Sequence, residues 1–294
     1  MRLRKLFFEL YKMKKILLAI AVALSAMALA ADEKEYLRYV EEADKAVQKQ
    51  EWNRAEELLR AAMQLEPSNP QNVMLLSNVG MFQYYRGEDS LALHTLSEAR
   101  AIAPASTVVL VNRAKVLTGM GRTDDAIRDY DRVIEMDSAN YRAYFERAYL
   151  RMNRNDSVGA AADLKMLVKL RPDDPNTLLI LAVSSSNAGR YEEAVSYYNR
   201  LIAKEKRAEY FGGRAMARLA KGDLAEASDD IGQGLDLDPE DGELYFCRAY
   251  MHLLQYDEAA AKADAALAAK FGVDPRRIAD LFLTSSLKKY VFYN

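Results

Sequence analysis

Seven times along the chain a small residue is followed twelve positions later by another, and the pairs recur about every 34 residues. They are Ala43 with Ala55, Gly80 with Ala92, Ala114 with Ala126, Ala148 with Ala160, Ala182 with Ala194, Ala215 with Ala227, and Ala249 with Ala261. Repetition at such a period marks a solenoid, in which one supersecondary unit is copied and each copy packs on its neighbours. Two helices can approach closely only where their side chains are small, so each pair predicts the crossing point of one helical hairpin. Ala, Leu, Glu, Arg, Lys and Met dominate the composition and β-branched residues are few, which predicts an all-α chain. The product of such an array is surface, and surface predicts a binding scaffold.

Residues 1–30 do not belong to the repeat. Met13, Lys14 and Lys15 form a basic start, Ile16 to Leu24 an unbroken apolar run, and Ser25 to Ala30 a small-residue stretch ending Ala28, Leu29, Ala30. That order predicts a secretory signal peptide cut after Ala30, with Met13 as an alternative start. The rival is a retained anchor, but the apolar stretch from Ile16 to Ala31 falls short of the roughly 20 residues that span a bilayer core. Without residues 1–30 the chain has 35 basic and 42 acidic residues, a net charge of −7. A nucleic-acid partner requires the opposite sign. Cys247 is the only cysteine, so no intrachain disulfide forms, and a buried thiol is expected.

Within each copy the residue seven after the first small position is a turn former in five cases: Gly87, Gly121, Asn155, Gly189 and Gly222. Both residue types accept the left-handed backbone that ends a helix. Twelve residues past the second small position Pro67, Pro104, Pro172 and Pro239 stop the second helix. Larger apolar residues such as Leu59, Leu96, Tyr130, Leu164, Tyr198 and Ile231 lie between, to fill the space between hairpins. This pattern resembles the tetratricopeptide repeat family over residues 36–273, in seven copies. The resemblance implies a right-handed superhelical α-solenoid whose first helices line a concave groove. Departures are local: three residues inserted around Pro67 to Asn72, one missing before Ala215, Ser138, Lys206 and Val273 in place of Pro, and Tyr256 at the last turn. The domain plan is therefore a leader at 1–30, repeats at 31–273, and a cap at 274–294.

One pattern needs no family. Arg113, Arg147, Arg214 and Arg248 precede the first small residue of four copies, and Asp129, Asp163, Asp230 and Asp264 follow sixteen residues later. Copies without the Arg (Glu42, Val79, Leu181) also lack the Asp (Leu58, Thr95, Tyr197). Joint presence at equal depth on two antiparallel arms predicts structural, half-buried, bidentate salt bridges inside the hairpin. On that reading Arg147→Leu strands Asp163 and costs about 3 kcal/mol.

At the chain end Asp274 suits an N-cap and Pro275 the first turn of a short amphipathic helix carrying Ile278, Leu281 and Phe282. The tail Tyr290, Val291, Phe292 and Tyr293 is apolar enough to fold back or to dock.

No catalytic residue, cofactor or metal site emerges. The two histidines, His94 and His252, stand apart, and no His/Cys cluster or phosphate-cradling glycine loop occurs. Binding is better supported. The family resemblance implies that the fifth, ninth and twelfth positions of the first helices face the groove, and these are rich in aromatic and Met side chains, which adaptable peptide-binding surfaces favour. The implied partner-binding set is Met81, Tyr84, Asn112, Lys115, Phe145, Tyr149, Met152, Met216, Phe246 and Tyr250. Gly212 and Gly213, in mid-helix, predict either a kink or a pocket walled by Leu179 and Val183 together with Met216, Phe246 and Tyr250. Asn78 and Asn112 resemble the backbone-clamping asparagines of some family members. Val40 and Asp44 stand where a carboxylate clamp would need Lys and Asn. The expected protein is an exported monomer or weak homo-oligomer without stable membrane insertion, holding an extended or helical segment of an envelope protein. The alternative is a small apolar ligand or glycan near Gly212.

Overall fold

The computed structural model describes residues 32–292, with side chains through 283. The predicted leader lies outside the described residues, as do the side chains of the aromatic tail. No described helix is long and apolar enough to cross a membrane.

The described residues are helices and turns. Helix α1 spans 32–48, followed by α2 (Trp52–Leu65), α3 (Asn72–Tyr85), α4 (Asp89–Ile102), α5 (Thr107–Gly119), α6 (Thr123–Met136), α7 (Tyr141–Asn153) and α8 (Ser157–Leu170). The order continues with α9 (Pro175–Asn187), α10 (Tyr191–Lys204), α11 (Ala208–Lys221), α12 (Leu224–Leu237), α13 (Gly242–Leu254), α14 (Glu258–Lys270) and α15 (Pro275–Phe292). Odd- and even-numbered helices alternate as the first and second arms of hairpins. Two compact units divide the chain, one ending at Ala143 and one beginning at Tyr144.

In both units the spaced small residues sit at the hairpin crossings, and every one is buried. Gly80 shows how tight a crossing can be: a Cβ there would lie 2.7 Å from Leu96 Cγ and 3.3 Å from the Ala92 carbonyl oxygen. In the first unit Tyr36, Ala43 and Ala46 of α1 pack on Ala55, Leu58, Leu59 and Ala62 of α2, with Leu75, Val79 and Phe82 of α3 closing the layer. In the second unit Leu178 and Ala182 meet Tyr198, Leu201 and Tyr210, and Ala215 and Leu219 meet Ala227, Ile231, Cys247 and Met251.

Every hairpin turn places one residue in the left-handed region. Besides the five turn formers, Gln50 (φ 58°) and Tyr256 (φ 62°) adopt it. The N–H of the following residue reaches back five positions in each case, as from Glu51 to Ala46 (2.9 Å) and from Asp257 to His252 (2.9 Å). The hydrogen bonds thus impose the conformation, and at Tyr256 the side chain opposes it by about 1–2 kcal/mol. Replacing Tyr256 by Gly is expected to raise the unfolding free energy by about 0.5–1 kcal/mol, after the extra entropy of a glycine in the unfolded chain is set against the relief. A urea titration reads the change; an unchanged or lowered midpoint would show that the Tyr256 side chain compensates through its contacts.

Asp274 caps α15 by accepting the Arg276 N–H at 2.8 Å, and Pro275 occupies the first turn. Ile278, Leu281 and Phe282 pack on Ala249 and Ala265, while Arg277 holds Glu243 of α13 through two hydrogen bonds of 2.5 and 2.9 Å. The last hairpin is thereby covered on its outer side.

Candidate interaction face

The first-helix side chains divide into packed and open ones. In the first unit Met81 is 7% exposed and lies among Ala92, Leu96 and Val116, so it belongs to the core and not to an open groove. Asn112 is half-buried and donates from Nδ2 to Ser77 Oγ (3.0 Å), tying α5 to α3. Tyr84 is half-buried over Gly119, where a Cβ would stand 2.6 Å from the Tyr84 hydroxyl. Lys115 holds its ammonium over the rings of Tyr84 (5.9 Å) and Tyr85 (5.1 Å) and donates to the Tyr85 hydroxyl at 3.4 Å. Tyr85 in turn meets Trp52, ring centroids 5.1 Å apart, and Trp52 stacks on Phe82 at 5.8 Å. Neither Tyr85 nor Trp52 falls on the implied groove positions; the consecutive tyrosines and the lone tryptophan were the available signals.

In the second unit Tyr149 is 50% and Val183 37% exposed, while Phe145, Met152, Leu179, Met216, Phe246 and Tyr250 are half-buried. Leu179 packs beside Leu178 and Tyr198, Met216 beside Ala215 and Cys247, and Phe246 and Tyr250 against Ala249 and Leu281. Arg277 lies 5.0 Å over the Phe246 ring.

Side chains of neighbouring helices lie against both glycines. Gly212 is buried against Leu244, and its carbonyl accepts the Cys247 thiol at 3.8 Å. Burial pushes that thiol well above its ordinary range. Gly213 lies under Tyr198, whose Cζ would be 2.3 Å from a Cβ. Burial likewise pushes the Tyr198 hydroxyl up, to about 12. A Cβ at Gly213 would run into the Tyr198 ring, whereas at Gly212 it would meet Leu244 Cδ2 at 3.4 Å, an ordinary contact.

The four Arg/Asp pairs lie at the hairpin interiors. Arg147 reaches Asp163 through Nε (3.1 Å) and Nη2 (2.5 Å), Arg214 reaches Asp230 through Nε (3.0 Å) and Nη2 (2.6 Å), and Arg248 reaches Asp264 at 2.8 and 2.7 Å. Each of these arginines also stacks on an aromatic ring three residues earlier: Tyr144 (5.6 Å), Phe211 (5.5 Å) and Tyr245 (5.1 Å). A second basic residue, four positions after the first, joins the same carboxylate: Arg151 on Asp163 (2.8 Å), Arg218 on Asp230 (2.6 Å) and His252 beside Asp264 (3.5 Å). These were missed, and because Arg151 stays on Asp163, Arg147→Leu does not strand the carboxylate.

Copy three lacks both supports, having Leu110 for the ring and Leu117 for the second cation. There Arg113 makes a single bond to Asp129 (2.6 Å), Arg113 Nε and Asp129 Oδ2 have no partner, and burial pushes the Asp129 carboxyl above its usual range. In copy two a neutral pair takes the place of Arg and Asp: Thr95 donates to Gln83 (2.8 Å), and Gln83 donates to the Glu56 carboxylate (3.0 Å) of the preceding copy. No three His, Cys, Asp or Glu among the described residues converge as metal ligands.

Crossings of small residues, left-handed turns and polar ties inside the hairpins are the construction of a helical-repeat scaffold. Residues 111–175 and 179–242 match the tetratricopeptide repeat family model, so these two stretches carry tetratricopeptide repeats. A tetratricopeptide repeat protein from Parabacteroides merdae ATCC 43184 shares the fold with a TM-score of 0.72 and 27% identity, over 86% of this chain and 99% of the other. PilW, a type IV pilus biogenesis factor, matches with a TM-score of 0.63 and 19% identity over 71% of this chain and 96% of its own. At that identity the likeness shows the fold alone. A tetratricopeptide repeat and J domain-containing co-chaperone of Fusarium oxysporum is 27% identical over 164 residues, covering 53% of this chain and 32% of the relative's length.

Proposed function

We propose that the chain is an exported, non-catalytic scaffold that holds an extended or helical segment of an envelope protein in the apolar and aromatic concave groove lined by its first helices. In this reading the repeats run in register over residues 31–273, and the leader is removed after Ala30. The supporting observation is that large apolar side chains, Tyr149 on α7 and Val183 on α9, stand exposed on first helices of the second unit while the crossing residues beside them, Ala148 and Ala182, are fully buried. Apolar side chains that stay open beside a closed helix crossing are spare apolar area for a partner. The co-chaperone relative agrees with a role in handling other polypeptides.

A photo-crosslinking residue at Val183 in intact cells is expected to trap one defined envelope protein. Truncating Phe145, Tyr149 and Tyr250 to Ala together should abolish the adduct while the far-ultraviolet circular dichroism stays helical. An adduct that survives this truncation overturns the face. N-terminal sequencing of the exported form is expected to begin at Ala31.

A further inference from the structure

The first unit presents a second, chemically distinct surface on α2, α3 and α5. Helix α3 carries no charged side chain, and α5 carries two, Arg113 and Lys115. Arg113 is turned inward to Asp129, which leaves Lys115 as the uncommitted charge of the two helices. Among the described residues Lys115 pairs with no carboxylate: its contacts are the rings of Tyr84 and Tyr85 and one long hydrogen bond to the Tyr85 hydroxyl. An ammonium has three donors, so two remain open to a ligand. Around it the surface is apolar, with Tyr85 48% exposed, Trp52 half-buried against it, and Met74 and Val108 exposed further along the same two helices. Met74, Asn78 and Tyr85 lie along one side of α3, as Val108, Asn112 and Lys115 do along α5, and the Asn112–Ser77 bond holds the two helices side by side. From Met74 to Tyr85 the strip is about 16 Å long, the length of some five extended residues.

We propose that this strip binds an extended segment of a partner protein in which an Asp or Glu side chain is flanked by aromatic residues. The acid meets Lys115 and the aromatic neighbours lie on Tyr85 and Trp52. Charge complementarity selects an acid, because Lys115 is the one uncommitted charge that α3 and α5 carry, and a cation favours a carboxylate and opposes another cation. A side-chain carboxylate fits better than a chain terminus, since termini are held by several converging donors, whereas here the α3 and α5 amides are spent within the helices and one ammonium stands alone. The proposal rests on the scaffold reading above and adds the chemistry of one partner.

Trp52 is the only tryptophan in the chain, so its fluorescence reports this strip directly. The probes are tryptophan-free nine-residue peptides, acetylated and amidated, with Phe-Glu-Phe, Phe-Gln-Phe or Phe-Lys-Phe at the centre of a Gly/Ser frame. The Glu peptide is expected to change Trp52 emission saturably and to bind about fivefold tighter than the Gln peptide at low salt, the difference shrinking as salt is added. Lys115→Glu should reverse the order of the Glu and Lys peptides. Equal binding of all three peptides, an order unchanged in Lys115→Glu, or no emission change with any peptide overturns the proposal. A Gln peptide that gains affinity equal to the Glu peptide when its C-terminus is left free would overturn it in favour of a chain terminus. The Val183 crosslink lies in the other unit and does not involve Lys115, so it can fail or succeed separately.

Discussion

Asp230→Leu is expected to lower the unfolding free energy by about 3–5 kcal/mol, the largest loss among single substitutions at the hairpin interiors. The Asp230 side chain is fully buried, and its two oxygens accept from Arg214 Nε and Nη2 and from Arg218 Nη1, all within 3.1 Å. Removing the carboxylate leaves two guanidinium groups, each mostly buried, facing one another. Arg214 retains Asn199 and Arg218 retains the Glu226 carbonyl, which keeps the loss below that of two bare charges. A shift in urea midpoint of the whole chain reads the effect.

The double variant Arg113→Leu, Asp129→Leu supplies the control. That pair has one hydrogen bond and two unsatisfied buried atoms, and its ionised carboxylate is disfavoured by burial. Copies one and five already place apolar or aromatic residues at the Asp position, Leu58 and Tyr197. The double change is therefore expected to alter stability by less than about 1 kcal/mol. Folding raises the Asp129 pKa, so the folded state binds this proton more readily. The associated stability is present at low pH and is lost as the pH rises through the folded value. A loss from the double variant as large as that of Asp230→Leu would show that burial alone, without second cation or ring, sets the value of these pairs.

Gly213→Val is expected to cost about 3 kcal/mol, although valine is the better helix former by a few tenths. Even a Cβ at this position would sit 2.3–2.5 Å from the outer ring atoms of Tyr198, a buried ring. Its neighbour behaves in the opposite sense. At Gly212 a Cβ meets Leu244 Cδ2 at 3.4 Å, an ordinary contact, so Gly212→Ala should gain up to about 1 kcal/mol from helix propensity. Thermal melts of the two variants moving in opposite directions would establish that Gly213, and not Gly212, is kept for a close contact. Parallel shifts would point to a helix kink instead.

How much of this was legible beforehand follows from the range of each interaction. The crossing residues, from Ala43 to Ala261, repeat along the chain because each hairpin solves the same packing problem, so their period exposes the helices and their pairing. Five of the left-handed turns were marked by Gly or Asn; Gln50 and Tyr256 were not, because backbone hydrogen bonds can hold an unsuitable residue in that region. Arg151, Arg218 and His252 escaped notice because their carboxylate lies twelve residues away on the opposing arm, a relation visible only once both arms are in place. Met81 looked like a groove residue by its position and proved to be core. The same limit hid the Trp52–Tyr85–Lys115 cluster, which joins three helices.

The amino-acid order alone therefore determined the helical repeat, its small-residue crossings and the absence of charge on α3, since these depend on neighbours within one or two turns or on a fixed period. Tertiary structure decided which first-helix side chains remain open, that the Tyr198 ring lies over Gly213, and that Lys115 stands over two rings with no carboxylate among the described residues beside it. Those outcomes depend on how far each helix advances toward the next, a distance set by side chains on a different hairpin.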